Sequence, residues 1–324
     1  MSPIFQARIP ASIVAAATSL FFACAPAMAG QDAWSDCRNA DPAKRVSGCS
    51  KIIDHIGKEP VHNRIAAYLN RGNALRLQGD VAHALEDFDK ALQLDPKSAP
   101  ALLSRAGARQ ASGDHEKAIT DYDTLLTAQP KNTAALLARA SAKRARGDVD
   151  GALGDYARAI DLDRNSPVAY SARAELYSAR GETDKALEDL STAVKKKNPR
   201  AVDFLRLGAI RHTRKEFDLA IESFSHAIER DPKLVAAYNN RGLSNYAKGA
   251  FDPAVDDFSK AIALDGKYAA AFLNRAQAQR GRKDYDKAKE DAEAALKLQP
   301  GLKAAEKALE EVNSILVRRA AAAR

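Results

Sequence analysis

No motif in this sequence gives an enzyme a foothold. Its histidines, at 55, 62, 83, 115, 212 and 226, show no HExxH or other metal-binding spacing. There is no phosphate loop, no GxSxG elbow and no cysteine set beside a catalytic histidine. Carboxylates are plentiful, but they recur at fixed intervals, which marks them as structural. These absences imply a protein that is not an enzyme and needs no cofactor or metal. With 17 Gly, 13 Pro and a single Trp in 324 residues, the composition is neither collagen-like nor disordered. Nor is any transmembrane span expected: the apolar run from Ala11 to Ala23 falls short of the ~20 residues that a helix needs to cross a bilayer.

That run instead belongs to a targeting signal. Arg8 is the only charged side chain before Asp32, and Ala27-Met28-Ala29, with small residues at −3 and −1, follows the apolar stretch. A positive start, a short apolar core and small residues before the break describe a secretory signal peptide over residues 1–29, cleaved after Ala29. The alternative is lipid attachment at Cys24, although Phe21 stands where a lipoprotein box normally has Leu. Cleavage leaves Cys37 and Cys49, an even pair that an oxidising compartment such as the periplasm would close into a disulfide. Asp41-Pro42 reads as a helix start, so Cys37 could draw level with Cys49 if residues 37–41 ran back extended. Residues 30–64 then form a disulfide-linked N-terminal cap.

From Ile65 to Leu302 the chain divides into seven blocks of 34 residues without insertion or deletion. The twentieth residue of every block is alanine, from Ala84 to Ala288, and the eighth is Gly or Ala, from Gly72 to Ala276. Small residues at two fixed points let two helices cross closely. Between them come Gly79-Asp80, Gly113-Asp114, Gly147-Asp148 and Gly181-Glu182, each ending one helix and starting the next. The fourth position is large and apolar (Tyr68, Phe204, Phe272 among others), the twenty-fourth runs from Phe88 to Phe258, and Pro96, Pro130, Pro232 and Pro300 close four blocks. This aromatic, small, alanine, aromatic, proline order resembles the tetratricopeptide repeat. The resemblance implies an all-α, right-handed solenoid of seven helix-turn-helix repeats, with the N-terminal cap at one end. At the other, residues 303–317 continue as a capping helix presenting Ala305, Leu309, Val312 and Leu316, and the tail from Arg318 frays.

One departure from the family is informative. Its usual leucine at the seventh position is here Arg71, Arg105, Arg139, Arg173, Arg241 and Arg275, and the twenty-third position holds Asp87, Asp121, Asp155, Asp189, Asp257 and Asp291. The fifth block alone has Leu207 and Ser223, losing both partners together. Joint loss argues for an Arg–Asp pair between the two helices of one repeat, a fork-type contact that orients them. The competing reading of the arginines is an anion-binding stripe.

The resemblance also implies where a partner would lie, since in this family the first helices line a groove that holds a segment of another protein. Carried over by position, the groove has an apolar floor at Leu69, Leu103 and Leu137 and a basic edge at Arg76, Arg144, Arg180, Arg214 and Arg280, with His212 beside it. Asn70, Asn240 and Asn274 resemble asparagines that some members use to hold a partner's backbone. The formal net charge is +8, or +7 without Arg8. An exported protein rarely meets nucleic acid, so none is expected. The sequence thus points to a non-catalytic periplasmic or secreted scaffold binding a protein partner, its segment acidic. The other reading is an envelope-assembly or polymer-export component whose basic rim meets an anionic glycan or lipid.

Overall fold

The structure, a computed structural model, describes residues 31–322. The signal segment and Cys24 lie outside the described residues. Every regular element described is helical. Helix α1 (Gln31–Cys37), α2 (Pro42–Ile53) and a 3-10 turn (Ile56–Lys58) precede the repeats. Seven helix pairs follow: α3 (Val61–Leu77) with α4 (Val81–Leu94), α5 (Ala99–Ala111) with α6 (His115–Ala128), α7 (Thr133–Arg146) with α8 (Val149–Leu162), α9 (Pro167–Ala179) with α10 (Thr183–Ala193), α11 (Ala201–Thr213) with α12 (Phe217–Arg230), α13 (Val235–Ala247) with α14 (Phe251–Leu264), and α15 (Ala269–Gly281) with α16 (Tyr285–Leu298). Helix α17 (Lys303–Ala322) closes the chain. The chain divides after Arg164 into two compact units. The N-terminal unit holds α1–α8 and the C-terminal unit α9–α17. No helix among the described residues is long and apolar enough to cross a membrane.

The turns inside the pairs follow from backbone chemistry. Gly79, Gly113, Gly147, Gly181 and Gly249 all adopt positive φ, ending the first helix, and Asp80, Asp114 and Asp148 accept from the backbone N–H three residues on. In the pairs α11–α12 and α15–α16 the same left-handed position is held by Lys215 and Lys283, which spend some backbone strain to make the turn.

Core packing explains the alternation of Gly and Ala at the eighth position. A Cβ on Gly72, Gly208 or Gly242 would stand only 2.7, 2.6 or 2.7 Å from the ring of Phe88, Phe224 or Phe258. The ring presses against the backbone of the facing helix, so only glycine fits there without a shift. Where the twenty-fourth residue is Tyr122, Tyr156, Leu190 or Ala292, the eighth is Ala106, Ala140, Ala174 or Ala276, and all are buried. Glycine thus stands only opposite phenylalanine, and alanine stands opposite Tyr, Leu or Ala.

The N-terminal cap closes as a disulfide between Cys37 and Cys49, with their Cα atoms 4.5 Å apart. The route differs from the expected extended return. Residues 31–37 form a helix, and a turn at Arg38–Asp41 folds it back on α2. Gly48 makes this possible, because a Cβ there would lie 2.4 Å from the Cβ of Asp36. Both cysteines are fully buried with Trp34, Ile52 and Ala67. At the other end α17 runs past the expected stop at residue 317, and Ala305, Ala308 and Val312 are its buried face, with Leu309 and Leu316 only half-buried.

Gly72→Ala should therefore lower stability by about 1–3 kcal/mol through overpacking, and Phe88→Leu should recover part of that loss, since Ala174 beside Leu190 is a native combination. Urea unfolding of the two single variants and the double variant checks this; additive losses would reject the size coupling.

Candidate functional site

The arginine series is a three-way tie rather than a stripe of free cations. Nε and Nη2 of Arg71 donate to Asp87 at 2.8 and 2.7 Å, and Arg105–Asp121, Arg139–Asp155, Arg173–Asp189 and Arg275–Asp291 repeat this side-on fork. Arg241 makes the same pair with Asp257. The carboxylates are buried, and their hydrogen bonds raise the pKa of Arg71, Arg139 and Arg173. The remaining nitrogen, Nη1, reaches the second helix of the preceding pair: Arg105 to Asp89, Arg139 to Asp123, Arg241 to Ser225 and Arg275 to Ser259. Arg71 reaches Ser50 in α2 in the same way. The eleventh position adds a second donor to the same aspartate, as Arg109 to Asp121, Lys143 to Asp155 and Asn245 to Asp257. In the fifth repeat Leu207 is buried, and Arg211 donates instead to Ser223 Oγ and the carbonyl of Leu219. Arg173 also lies over two aromatic rings, 6.0 Å from the centroid of Tyr170 and 5.8 Å from that of Tyr177.

The expected groove residues fall into two groups. In the N-terminal unit Leu69, Leu103 and Leu137 are half-buried, so each still shows apolar surface on the first-helix layer. The matching residues of the C-terminal unit, Ser171, Leu205, Asn239 and Leu273, are buried. The asparagines do not form an open ladder. Asn240 and Asn274 are buried; Asn239 donates to Asn240 Oδ1 at 3.3 Å and Asn274 donates to Asn239 Oδ1 at 2.9 Å. Asn70 points at Cys37 Sγ, 3.9 Å away.

The basic rim needs a larger correction. Acids at the eighteenth position of the preceding repeat meet the basic residue at the fourteenth: Arg214 pairs with Asp184 at 2.7 Å, Arg282 with Asp252 at 3.0 Å, Arg146 with Glu116 at 3.9 Å, and Lys248 with Asp218. Arg180 pairs with Glu182, Arg214 also with Glu216, and Arg280 with Glu311 on α17. Exposed pairs of this kind add little stability, but they cancel the local charge. Arg144 is half-buried in the same row. A pass over basic positions alone misses these acids; comparing each fourteenth residue with the eighteenth of the block before it would have found them.

His212 Nδ1 lies 2.9 Å from Ser244 Oγ, and Ser244 donates to the Asn240 carbonyl. With its hydroxyl proton committed, Ser244 must accept, so the neutral imidazole carries its proton on Nδ1. Burial lowers the His212 pKa. The Phe217 ring stands edge-on, 5.4 Å away. Among the described residues no group of three or more His, Cys, Asp or Glu is placed to hold a metal.

Family models described as tetratricopeptide repeat match residues 65–98, 103–167, 171–233, 211–269 and 269–301. No curated protein matches the chain. Among solved structures, the C-terminal part of a TPR repeat-containing protein from Cytophaga hutchinsonii is 20% identical, with TM-score 0.63, covering 74% of this chain and 99% of that one. YrrB, described as a TPR protein with an unusual peptide-binding site, is 20% identical with TM-score 0.55, covering 58% of this chain and 97% of that one. A tetratricopeptide repeat protein from Parabacteroides merdae is 18% identical with TM-score 0.53, covering 77% and 99%. At these identities the likeness concerns the fold.

Two outcomes follow from the geometry. Asp155→Ala should cost about 3 kcal/mol, because it strands Arg139 and Lys143 in a partly buried site. In an Arg139→Leu background the loss should shrink clearly, and full additivity in the double-mutant cycle would reject the tie. Separately, the folded-state pKa of His212 lies below that of the unfolded chain, so the unfolded state takes up the proton first. Its contribution is complete above the ordinary histidine value near 6.5 and is lost as pH falls below it. Urea midpoints at pH 7.5 and 5.5 should differ less for His212→Gln than for the parent; equal differences would contradict this.

Proposed function

Since the chain belongs to the tetratricopeptide repeat family, whose members typically mediate protein–protein interactions, we propose that it is a non-catalytic, exported adaptor whose N-terminal unit holds a segment of a partner protein across α3, α5 and α7. The observation that carries this reading is the difference between the two units. Only the N-terminal one presents half-buried leucines at the fifth position, Leu69, Leu103 and Leu137. Covering such surface contributes about 25 cal/mol per Å² removed from water. The polar Asn73 and Ser104, hydrogen-bonded at 3.4 Å, and Gln110 and Ser141, at 3.1 Å, bridge the same first helices and frame the leucines. A Cβ at Gly107 would meet no neighbouring atom within 4 Å, which leaves room for a guest chain there. A buried disulfide supports an oxidising compartment, and with the signal-like residues 1–29 it favours the periplasm. The rim arginines, paired with acids of their own chain, lend no support to a glycan or lipid ligand.

A photo-crosslinking amino acid placed at Leu103 should capture a discrete partner in the native envelope, whereas the same group at Leu162, exposed at the end of α8, should not. Leu69→Asp should remove the Leu103 crosslink without unfolding the chain. Equal capture from both positions, or none from Leu103, would reject the reading.

A further inference from the structure

Along the first-helix layer, side chains reach forward to the next first helix with a fixed stride. Asn73 donates to Ser104 and Gln110 to Ser141, in each case 31 residues on. Arg280 meets Glu311 on α17 by the same stride, and His212 reaches Ser244, one residue further. Applied to Arg76, the stride ends on Gly107, which has no side chain to offer. Among the described residues no hydrogen bond or ion pair holds the Arg76 guanidinium, although it is half-buried. Nor does anything fill the place opposite it. A Cβ built on Gly107 would have no neighbouring atom within 4 Å, in contrast to the ring-pressed Gly72. The other repeats carry Asn73, Ser141, Glu175, Ala209, Leu243 or Gln277 at this position. Glycine in the middle of α5 costs about 0.5–1 kcal/mol relative to alanine, and the packing of this chain gives no reason for it.

We infer that Arg76 and Gly107 form a carboxylate-recognising socket in the N-terminal unit, filled by an Asp or Glu side chain of the partner segment. The inference rests on the adaptor reading above and names the chemistry of the guest. Glu311 supplies the precedent inside this chain: a glutamate carried on the next helix meets the twelfth-position arginine by the same stride. At Arg76 the glycine leaves that role to a partner. The guest's carboxylate lies against the guanidinium, where a charge-assisted fork is strongest, and its apolar neighbours cover Leu69, Leu103 and Leu137. The partner motif is thus an acidic residue leading into an apolar stretch.

The test selects binders for the full mature chain from a random twelve-residue peptide library displayed within a loop, then measures the recovered peptides as amidated synthetic ligands. Peptides with an Asp or Glu beside apolar residues are expected. Glu→Gln in the peptide and Arg76→Gln in the protein should each weaken binding about tenfold or more, with little further loss when combined. Gly107→Glu, which supplies the carboxylate from within, should weaken binding similarly while leaving the melting temperature no lower. Gly154→Glu, at an exposed helical glycine with equally open surroundings, is the control and should leave affinity unchanged. If Leu103→Asp abolishes binding but Arg76→Gln and Gly107→Glu do not alter it, the socket is wrong and the adaptor reading stands. If no peptide is recovered, or Leu103→Asp is harmless, that reading fails and the socket with it. Binding that needs a free peptide C-terminus instead of the acidic side chain overturns the assignment to a side-chain carboxylate.

Discussion

Register in this protein depends on one guanidinium used in two directions, along its Nε–Nη2 edge and at Nη1. A helix pair held only by alanine, glycine and aromatic contacts could slide or rotate, because apolar surface is indifferent to small displacements. The Nε–Nη2 edge of Arg105 or Arg139 fixes its own second helix, and Nη1 fixes the second helix of the repeat before. Arg105, Arg139, Arg241 and Arg275 therefore each set the angle within a pair and the step between pairs at once, whereas Arg173 donates, among the described residues, only to Asp189 of its own pair. Lysine, with one point of charge, cannot span two acceptors in fixed planes. The fifth repeat keeps the arrangement by another route, with Arg211 reaching Ser223 from the eleventh position and Leu207 filling the vacated space.

Features set inside one repeat and copied along the chain were legible from the sequence. The alanine at the twentieth position, the turn glycines and the Arg–Asp pair are examples, and the joint loss at Leu207 and Ser223 pointed to the pairing. What escaped depended on neighbours. The acceptor for Nη1 alternates between aspartate and serine, so no single residue type marks it. The rim arginines looked available because their acids, such as Asp184 and Asp252, stand in the preceding block. The exposure of Leu69 and the burial of Leu205 are likewise set by packing, although both occupy the same position in their repeats.

The surface with most to offer a partner is accordingly smaller than the charge balance suggested. Most of the excess positive charge is dispersed or already engaged, and an inner polar chain of Asn239, Asn240 and Asn274 is used in joining α13 to α15. At the fifth position of the repeat, partly exposed leucines occur in the N-terminal unit, near Arg76, which no hydrogen bond or ion pair holds among the described residues.

The buried disulfide makes the two ends of the chain unequal. A stack in which each repeat contacts only its neighbours loses structure by unzipping from whichever end opens first. At the N-terminal end α1 is covalently bonded to α2, and α2 is hydrogen-bonded through Ser50 to Arg71, so α1 cannot fray from α2 while the bond persists. Helix α17 has no covalent tether. Fraying is thus less restrained at α17 than in the disulfide-closed α1–α2 hairpin.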